Sequence, residues 1–186
     1  MRSTMALLGL ALLAAGGLSL AGCKPTVPGA DPPKAVLDAE QGTLDLVNGE
    51  RAAAGIAALV MDEDARKVAR AHSEDMVARD FFSHINPDGL DPFQRIDDAG
   101  IPYVSAGENL AWNNAATPAE TAVSGWMASP PHRANILRPQ FDRTGMGVAV
   151  KGLGTYYFTQ VFIGTVAKSG EETVFYYDQV INAPQE

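Results

Sequence analysis

Apolar residues recur at helical spacing along most of the chain and are replaced by β-branched and aromatic runs towards its end. The segment 35–54 repeats leucine and valine on one face and stops at Gly55, which predicts a helix. The clearest helical pattern covers 62–82, where apolar residues recur at intervals of three and four and acidic residues crowd the first turn. Both segments therefore predict amphipathic helices that pack on a common core.

Two further helices are predicted from their starting residues. Asp91 is placed as an N-cap, a proline occupies the first helical position, and Gly100 ends the segment. Thr117 and Glu120 have the spacing of a capping box, again with a proline at the first helical position. This last helix presents Trp126 on its apolar face.

In the last part of the chain, the helical spacing of apolar residues gives way to runs that are typical of β-strands. Segments 145–152 and 155–164 are rich in β-branched and aromatic residues, and "KGLG" between them predicts a hairpin turn. Segment 173–180 is a candidate third strand, and 103–112 is either an early strand or an extended segment. Helices followed by antiparallel strands indicate an α+β fold.

The beginning of the chain has the pattern of a secretory leader. An early arginine precedes an almost wholly apolar run that ends in "LAGC", which resembles the bacterial lipobox. Residues 1–22 are therefore predicted to be a lipoprotein signal peptide, with Cys23 as the acylated residue. The alternative is an ordinary signal peptide with an incidental cysteine, although Cys23 is the only cysteine of the chain.

The same segment predicts the organisation and location of the protein. Residues 23–34 form a proline-rich tether behind the acylated cysteine, and 35–186 form one folded domain. The prediction is an extracytoplasmic protein that is anchored to the bacterial cell envelope through lipid on Cys23. Lys24 is not an aspartate, which favours the outer membrane if the cell is Gram-negative.

Composition and charge narrow the possible partners. The 186 residues are 46% hydrophobic and 19% charged, as in a globular protein. The formal net charge of −8 argues against nucleic acid as a partner, because phosphates would repel this surface. It argues equally against purely electrostatic attachment to anionic lipid.

Chemistry-bearing residues are few, and the chain contains three histidines. His72 lies within a helical pattern and is interpreted as structural, bonded to a backbone carbonyl or a nearby loop. His84, Glu108 and His132 each lie at the edge of an apolar element, and a buried carboxylate such as Glu108 needs a partner. The chain has neither an HExxH nor a GxSxG motif, so any site must be assembled from distant segments.

Four motifs in order resemble the CAP superfamily, which includes the cysteine-rich secretory, antigen 5 and pathogenesis-related 1 proteins. They are "FFSHINPDG", "GENLAW", "GWMASPPHRANIL" and "GMGVAV…YYFTQVF", and their spelling is similar to that of the bacterial branch. The resemblance covers residues 44–163. It implies a three-layer α-β-α sandwich with a central antiparallel sheet.

The resemblance also implies a site. CAP proteins have a central cleft lined by two histidines and two acids, which in some members binds zinc. By motif, His84, Glu108 and His132 match three of these positions, and Ser129 occupies the position of the second acid. A serine is a poor zinc ligand and cannot act as a carboxylate base, which weakens both the metal and the hydrolase interpretations.

Two interpretations of this cluster remain open. In the first, the double proline after Ser129 ends a helix so that His132 turns towards His84, with Ser129 and Asn135 helping to orient it. The two imidazoles and Glu108 would then form a possible zinc-binding set with a water in the fourth position. In the second, the same residues form a polar network that fixes helix ends to the sheet.

Three functions follow from these interpretations. The first is a binding module for a lipid or other hydrophobic molecule, a cell-wall fragment or a protein partner, with Trp112 as a candidate aromatic residue at the cleft rim. The second is a metal-assisted hydrolase with Glu108 as general base. The third is a structural protein of the cell envelope, in which substitution of the cluster lowers stability and changes nothing else.

Overall fold

The computed structural model describes residues 32–165 and the backbone of 174–177. The helices are α1 (Lys34–Ala53), α2 (Glu63–Arg79), α3 (Pro92–Asp98), α4 (Pro118–Ala128) and α5 (Pro130–Ile136). The strands are β1 (Val60–Met61), β2 (Ser105–Asn113), β3 (Arg143–Lys151), β4 (Thr155–Gly164) and β5 (Val174–Tyr177).

The predicted leader lies outside the part of the chain that the structure describes. This applies to the signal peptide 1–22, to Cys23 and to residues 24–31 of the tether. Lys34, which was assigned to the tether, is instead the first residue of α1. Within the described residues, no helix combines the length and the apolar character needed to cross a bilayer.

The strands form one sheet in the order β1-β3-β4-β2-β5. Strands β3, β4 and β2 are antiparallel neighbours, which confirms the predicted antiparallel centre and the β3–β4 hairpin. The two short outer strands pair in parallel, β1 with β3 and β5 with β2. Segment 103–112, left open between strand and extended chain, contains most of β2, and the described part of 173–180 forms β5.

Helices cover both faces of the sheet, which confirms the three-layer α-β-α sandwich. On one face, α2 and α3 pack with Val161 and Ile163 of β4; we call this the α2 face. On the other face, α1, α4 and α5 pack around a larger core that includes Trp126, Phe158 and Phe162; we call this the α1 face. Side chains alternate between the two faces along each strand.

Two glycines of β3 let α2 lie directly on the sheet. A Cβ atom added to Gly147 would lie 2.0 Å from the backbone nitrogen of Arg70, and one added to Gly145 would lie 2.1 Å from the carbonyl carbon of Ala65. No side chain fits at these distances. The short distance between α2 and β3 also allows the hydroxyl of Ser73 to donate to the carbonyl oxygen of Gly147 at 3.0 Å.

Most helix boundaries follow their predicted signals, and two do not. The Asp91 side chain accepts from the backbone of Gln94, and this capping box confirms the predicted start of α3. Helix α2 ends at Arg79, three residues before the predicted end, because Asp80 adopts a left-handed conformation with φ 55°. The predicted capping box at Thr117 is wrong, since the Thr117 side chain makes no capping hydrogen bond.

The double proline has a different role from the predicted one. Helix α4 already ends at Ala128, and Pro130 and Pro131 form the first turn of a new helix, α5, rather than a simple break. Proline is suited to the first turn of a helix because its missing N–H would have no partner there. His132 is therefore a helical residue of α5.

Two buried charges join the layers at positions that the sequence pattern did not reveal. Glu40 of α1 is fully buried and accepts hydrogen bonds from Arg66 and Arg70 of α2. It also accepts from the backbone N–H of Val148, on the edge of β3 that β1 leaves unpaired. Arg51 of α1 is likewise buried, and it donates to four backbone carbonyl groups that include the one of Phe141.

Candidate functional site

Glu108 and His84 form a direct buried pair on the α2 face. Nδ1 of His84 lies 2.7 Å from Oε1 of Glu108. Glu108 lies in the fully buried part of β2, between β4 and β5, and His84 lies in the loop between α2 and α3. The structure therefore brings together two of the four residues that the sequence assigned to the cleft, although 24 positions separate them in the sequence.

Arg95 of α3 completes this pair, and sequence reasoning missed it. One terminal nitrogen of Arg95 donates to Oε2 of Glu108 at 2.8 Å. The other donates to the carbonyl oxygens of His84 and Leu90, each at 2.9 Å. One guanidinium thus fixes both the carboxylate and the loop that carries His84. We call His84, Arg95 and Glu108 the Glu108 network.

The loop that carries His84 is held by its own side chains. Oδ1 of Asn86 accepts from the backbone N–H groups of Asp88 and Leu90 at 3.0 and 2.9 Å. Gly89 has a φ of 85°, a conformation that favours glycine over residues with a side chain. The sequence "NPDG" therefore folds into a tight turn, and this turn presents His84 to the sheet.

The network keeps Glu108 ionised. Burial by itself would raise the pKa of Glu108, but the hydrogen bond from His84 and the charge of Arg95 outweigh burial and hold the pKa below its ordinary value. An ionised carboxylate only accepts hydrogen bonds, so Nδ1 of His84 carries the proton that it shares with Glu108. Both carboxylate oxygens are consequently engaged by charged or polar donors.

His72 lies beside this network and has the structural role that was predicted for it. Its Nε2 lies 3.0 Å from the carbonyl oxygen of Ser83, the residue before His84. Burial lowers the pKa of His72, and the nearby charge of Arg95 lowers it further, while Glu108 opposes both. His72 is therefore a neutral imidazole that ties α2 to the His84 loop.

His132 is attached to β2 from its other face. The side chain of Asn109 donates to the backbone carbonyl of His132 at 3.2 Å. Asn135 of α5 donates to Oδ1 of Asn109 at 3.0 Å and to the carbonyl oxygen of Glu108 at 3.3 Å. Because neighbouring side chains of a strand point to opposite faces, Asn109 faces away from the side chain of Glu108. A single cleft shared by His84 and His132 stays a prediction.

Ser129 lies at the junction of two helices. It is half-buried, it ends α4 and precedes α5, and its side chain makes no capping hydrogen bond. Its backbone N–H donates to the carbonyl oxygens of Gly125 and Trp126. Ser129 therefore holds the turn between α4 and α5 through its backbone.

Aromatic side chains continue the α2 face beyond the network. Trp112 is half-buried and stacks on Tyr157, with ring centroids 6.4 Å apart. Tyr157 in turn meets Phe82, two residues before His84, edge to face at 6.4 Å. Trp112 was predicted as a rim residue, and its alternation along β2 places it on the same face as Glu108.

The donor set does not fit a zinc ion bound through Glu108. A zinc ion bound through Glu108 would lie beside the positive charge of Arg95, which pairs with Oε2, and Ser129 supplies no carboxylate. Within the described ranges, 32–165 and 174–177, no three His, Cys, Asp or Glu side chains are grouped so that they could hold a metal ion.

The fold is a sandwich of helices around a largely antiparallel sheet, and a buried His–Glu–Arg network joins the α2–α3 loop and α3 to β2. The model of the Cysteine-rich secretory protein family, CAP, matches residues 44–162. The chain belongs to this family. The match agrees with the resemblance found in the four sequence motifs.

Bacterial relatives support the assignment. The chain is 40% identical over 132 residues to the Bacillus subtilis (strain 168) protein YkwD, covering 71% of this chain and 49% of that one. It is 36% identical over 140 residues to the membrane protein YlbC of the same organism, covering 70% and 38%. The chain thus spans half or less of the length of these relatives.

A solved structure agrees with the fold. An extracellular protein containing a SCP domain, from Bacillus anthracis str. Ames, superposes with a TM-score of 0.64 at 30% identity. The match covers 74% of this chain and 45% of that one.

Proposed function

We propose that this CAP-family protein is a membrane-anchored, extracytoplasmic binding module. It holds a lipid, cell-wall or protein ligand beside His84 and Glu108 on the α2 face, whereas Ser129 and His132, predicted for the same cleft, belong to the helices on the α1 face. The observation that carries the proposal is the Glu108 network, in which both oxygens of a buried carboxylate are fixed by His84 and Arg95. Such a preorganised polar group suits recognition, because no reorganisation is needed when a ligand arrives.

The same observation disfavours the hydrolase alternative. A general base needs a pKa near the working pH. Glu108 has a lowered pKa and accepts hydrogen bonds on both oxygens, so it is a weak base. Arg95 adds a fixed positive charge that opposes protonation of Glu108 during any reaction.

The neighbouring aromatic group supports a ligand with an apolar portion. Phe82, Trp112 and Tyr157 pack together on the same side of the sheet as Glu108. Partly exposed aromatic rings contribute large contact areas at low cost in conformational entropy. A lipid chain or the face of a cell-wall sugar would contact these rings while a polar group reaches the network.

Binding can be tested by sedimentation of the full chain in a Cys23→Ser background, which removes the proposed lipid anchor, with two probes, purified peptidoglycan sacculi and phosphatidylcholine vesicles. Glu108→Gln keeps the shape of the side chain but removes its charge, and we expect it to weaken binding to one probe about tenfold or more. Glu120→Gln on the exposed surface of α4 is the matched control and should bind as wild type. Unchanged binding by a Glu108→Gln variant that unfolds at lower urea would support the purely structural alternative instead.

Metal-assisted hydrolysis makes a separate prediction. It requires near-stoichiometric zinc in the full chain, lost in a His84→Ala/His132→Ala double variant. We expect zinc titration followed by metal analysis to show the same low content in wild type and double variant. Stoichiometric zinc in wild type alone would overturn this expectation and restore the hydrolase.

The proposed anchor rests on the "LAGC" motif and agrees with the extracellular and membrane descriptions of the bacterial relatives. Expression of the full chain in bacteria fed labelled palmitate should label wild type and leave it in the membrane fraction. Cys23→Ser should lose the label and leave the membrane fraction, whereas Ser19→Ala in the leader should behave as wild type. A wild-type protein that carries no label would refute the anchor.

A further inference from the structure

A groove separate from the proposed cleft lies between α2 and the loop that follows it. It has a volume of about 510 Å³, and its lining includes His72 of α2, Asn86 of the loop and Arg95 of α3. None of the four cleft residues lines it. Two buried polar atoms with complementary hydrogen-bonding character belong to these lining residues.

The first of these atoms is Nδ1 of His72. A backbone carbonyl only accepts hydrogen bonds, so the contact with Ser83 places the imidazole proton on Nε2. Nδ1 is then an acceptor with a lone pair. It is buried in a side chain that is 1% exposed, and it has no hydrogen-bond partner among the described residues.

The second atom is Nε of Arg95. The two terminal nitrogens of this guanidinium are used by Glu108, His84 and Leu90. Nε–H is a donor, its side chain is 10% exposed, and in the part of the chain that the structure describes it has no acceptor. A buried donor without a partner costs about 1–3 kcal/mol, so a ligand that supplies one gains affinity.

Charged side chains at the rim of the groove determine which ligand charge the groove favours. Glu74, Asp75 and Asp88 line it together with Arg79, and Arg79 pairs with both aspartates. The paired carboxylates still have lone pairs that accept from hydroxyl groups. The excess of acidic side chains would repel an anionic ligand, whereas it would not repel a neutral one.

We propose that this groove binds a neutral polyhydroxyl molecule such as a sugar, with its hydroxyl groups accepting from Nε–H of Arg95 and donating to Nδ1 of His72. A hydroxyl group is both donor and acceptor, so sugar hydroxyl groups match the hydrogen-bonding character of both buried atoms. Burial keeps His72 neutral, which preserves the acceptor. This proposal does not rest on the proposed function, because none of the four cleft residues lines the groove, although Arg95 of the groove also pairs with Glu108.

The test is nitrogen NMR of the histidine side chains in the full chain, held in dodecylphosphocholine micelles, which contain no sugar. Methyl α-D-glucopyranoside is the neutral probe, and gluconate is its anionic counterpart. We expect a saturable shift of Nδ1 of His72 with the glucoside and a markedly smaller response to gluconate. Absence of a saturable shift with the glucoside, or an equal response to gluconate, would overturn the proposal.

A blocking variant tests whether the glucoside binds in the groove. Ala78→Trp fills the groove from the exposed side of α2, and Ala52→Trp places the same side chain on the exposed side of α1. We expect Ala78→Trp to weaken glucoside binding about tenfold or more and Ala52→Trp to leave it unchanged. A response that persists undiminished in Ala78→Trp would overturn the proposal, because the glucoside would then bind outside the groove.

Discussion

Glu40 offers the sharpest test of how the layers are joined. It is fully buried and accepts five hydrogen bonds: two from Arg66 at 2.8 and 2.6 Å, two from Arg70 at 2.8 and 2.6 Å, and one from the Val148 N–H at 3.1 Å. Glu40→Gln keeps the size of the side chain but turns an –NH₂ group towards these donors. The two guanidinium groups would then lose their counter-charge.

The expected loss follows from these contacts. Removal of one partner from a buried charge network costs about 3–5 kcal/mol. A domain of this size has a free energy of unfolding of about 5–15 kcal/mol, so the variant should fold but with much reduced stability. With an m-value of about 2 kcal/mol per M urea, the unfolding midpoint should fall by roughly 2 M.

Urea unfolding followed by the fluorescence of the two tryptophans, of which Trp126 is buried, measures this loss. Glu63→Gln is the matched control, because Glu63 pairs with the same Arg66 at 3.2 Å but is 67% exposed, and it should cost about 1 kcal/mol or less. The reasoning is refuted if Glu40→Gln costs no more than Glu63→Gln at an unchanged m-value. The charge of Glu40 would then not be what joins α1 to α2.

Three further perturbations test other parts of the structure. Gly147→Ala should lower the free energy of unfolding in urea by about 3 kcal/mol or more, because the added Cβ would lie 2.0 Å from the backbone nitrogen of Arg70. Gly49→Ala, where nothing lies within 4 Å of the added Cβ, should raise it by about 0.5–1 kcal/mol. A similar effect at both glycines would contradict the close contact between α2 and β3. The pKa of His72 is lowered in the fold, so the unfolded chain binds its proton first, and stability should fall as pH drops below about 6.5, by up to about 1.4 kcal/mol per unit. His72→Gln should remove that part of the pH dependence in urea unfolding measured from pH 8 to pH 5, and an unchanged slope would count against a buried neutral His72. Arg51→Met should lower the midpoint of thermal unfolding strongly, because four carbonyl groups lose their hydrogen-bond donor. Arg133 is exposed, so Arg133→Met should leave the midpoint unchanged. Equal midpoints for the two variants would show that the hydrogen bonds of Arg51 contribute little.

Local signals predicted four of the five described helices and the hairpin, and they missed α5, whose double proline was interpreted as a break. The Asp91 cap, the start of α2 at Asp62 and the β3–β4 turn each depend on residues a few positions apart. The ambiguous segment 103–112 became β2, and its first six residues are buried on both faces, so no alternation marked it as a strand. The Thr117 box failed because the spacing of a motif does not ensure that its side chain turns towards the helix.

The candidate site was predicted only in part. The sequence indicated that Glu108 needs a partner, and it singled out His84, but it gave no sign that Arg95 would take the second oxygen. Arg95 has the appearance of any charged residue on a short amphipathic helix. The same holds for Glu40, whose partners Arg66 and Arg70 lie in a different helix.

The sequence by itself determined four of the helices, the β3–β4 hairpin, the leader motif and the set of polar residues available for a site. Periodicity, caps and turns depend on residues a few positions apart, so they can be identified from the sequence alone. The tertiary structure decided which charges meet, which side chains share a face of the sheet and how closely α2 approaches β3. These depend on contacts between segments that are distant in sequence, where burial strengthens a hydrogen bond or an ion pair and makes an unpaired charge costly.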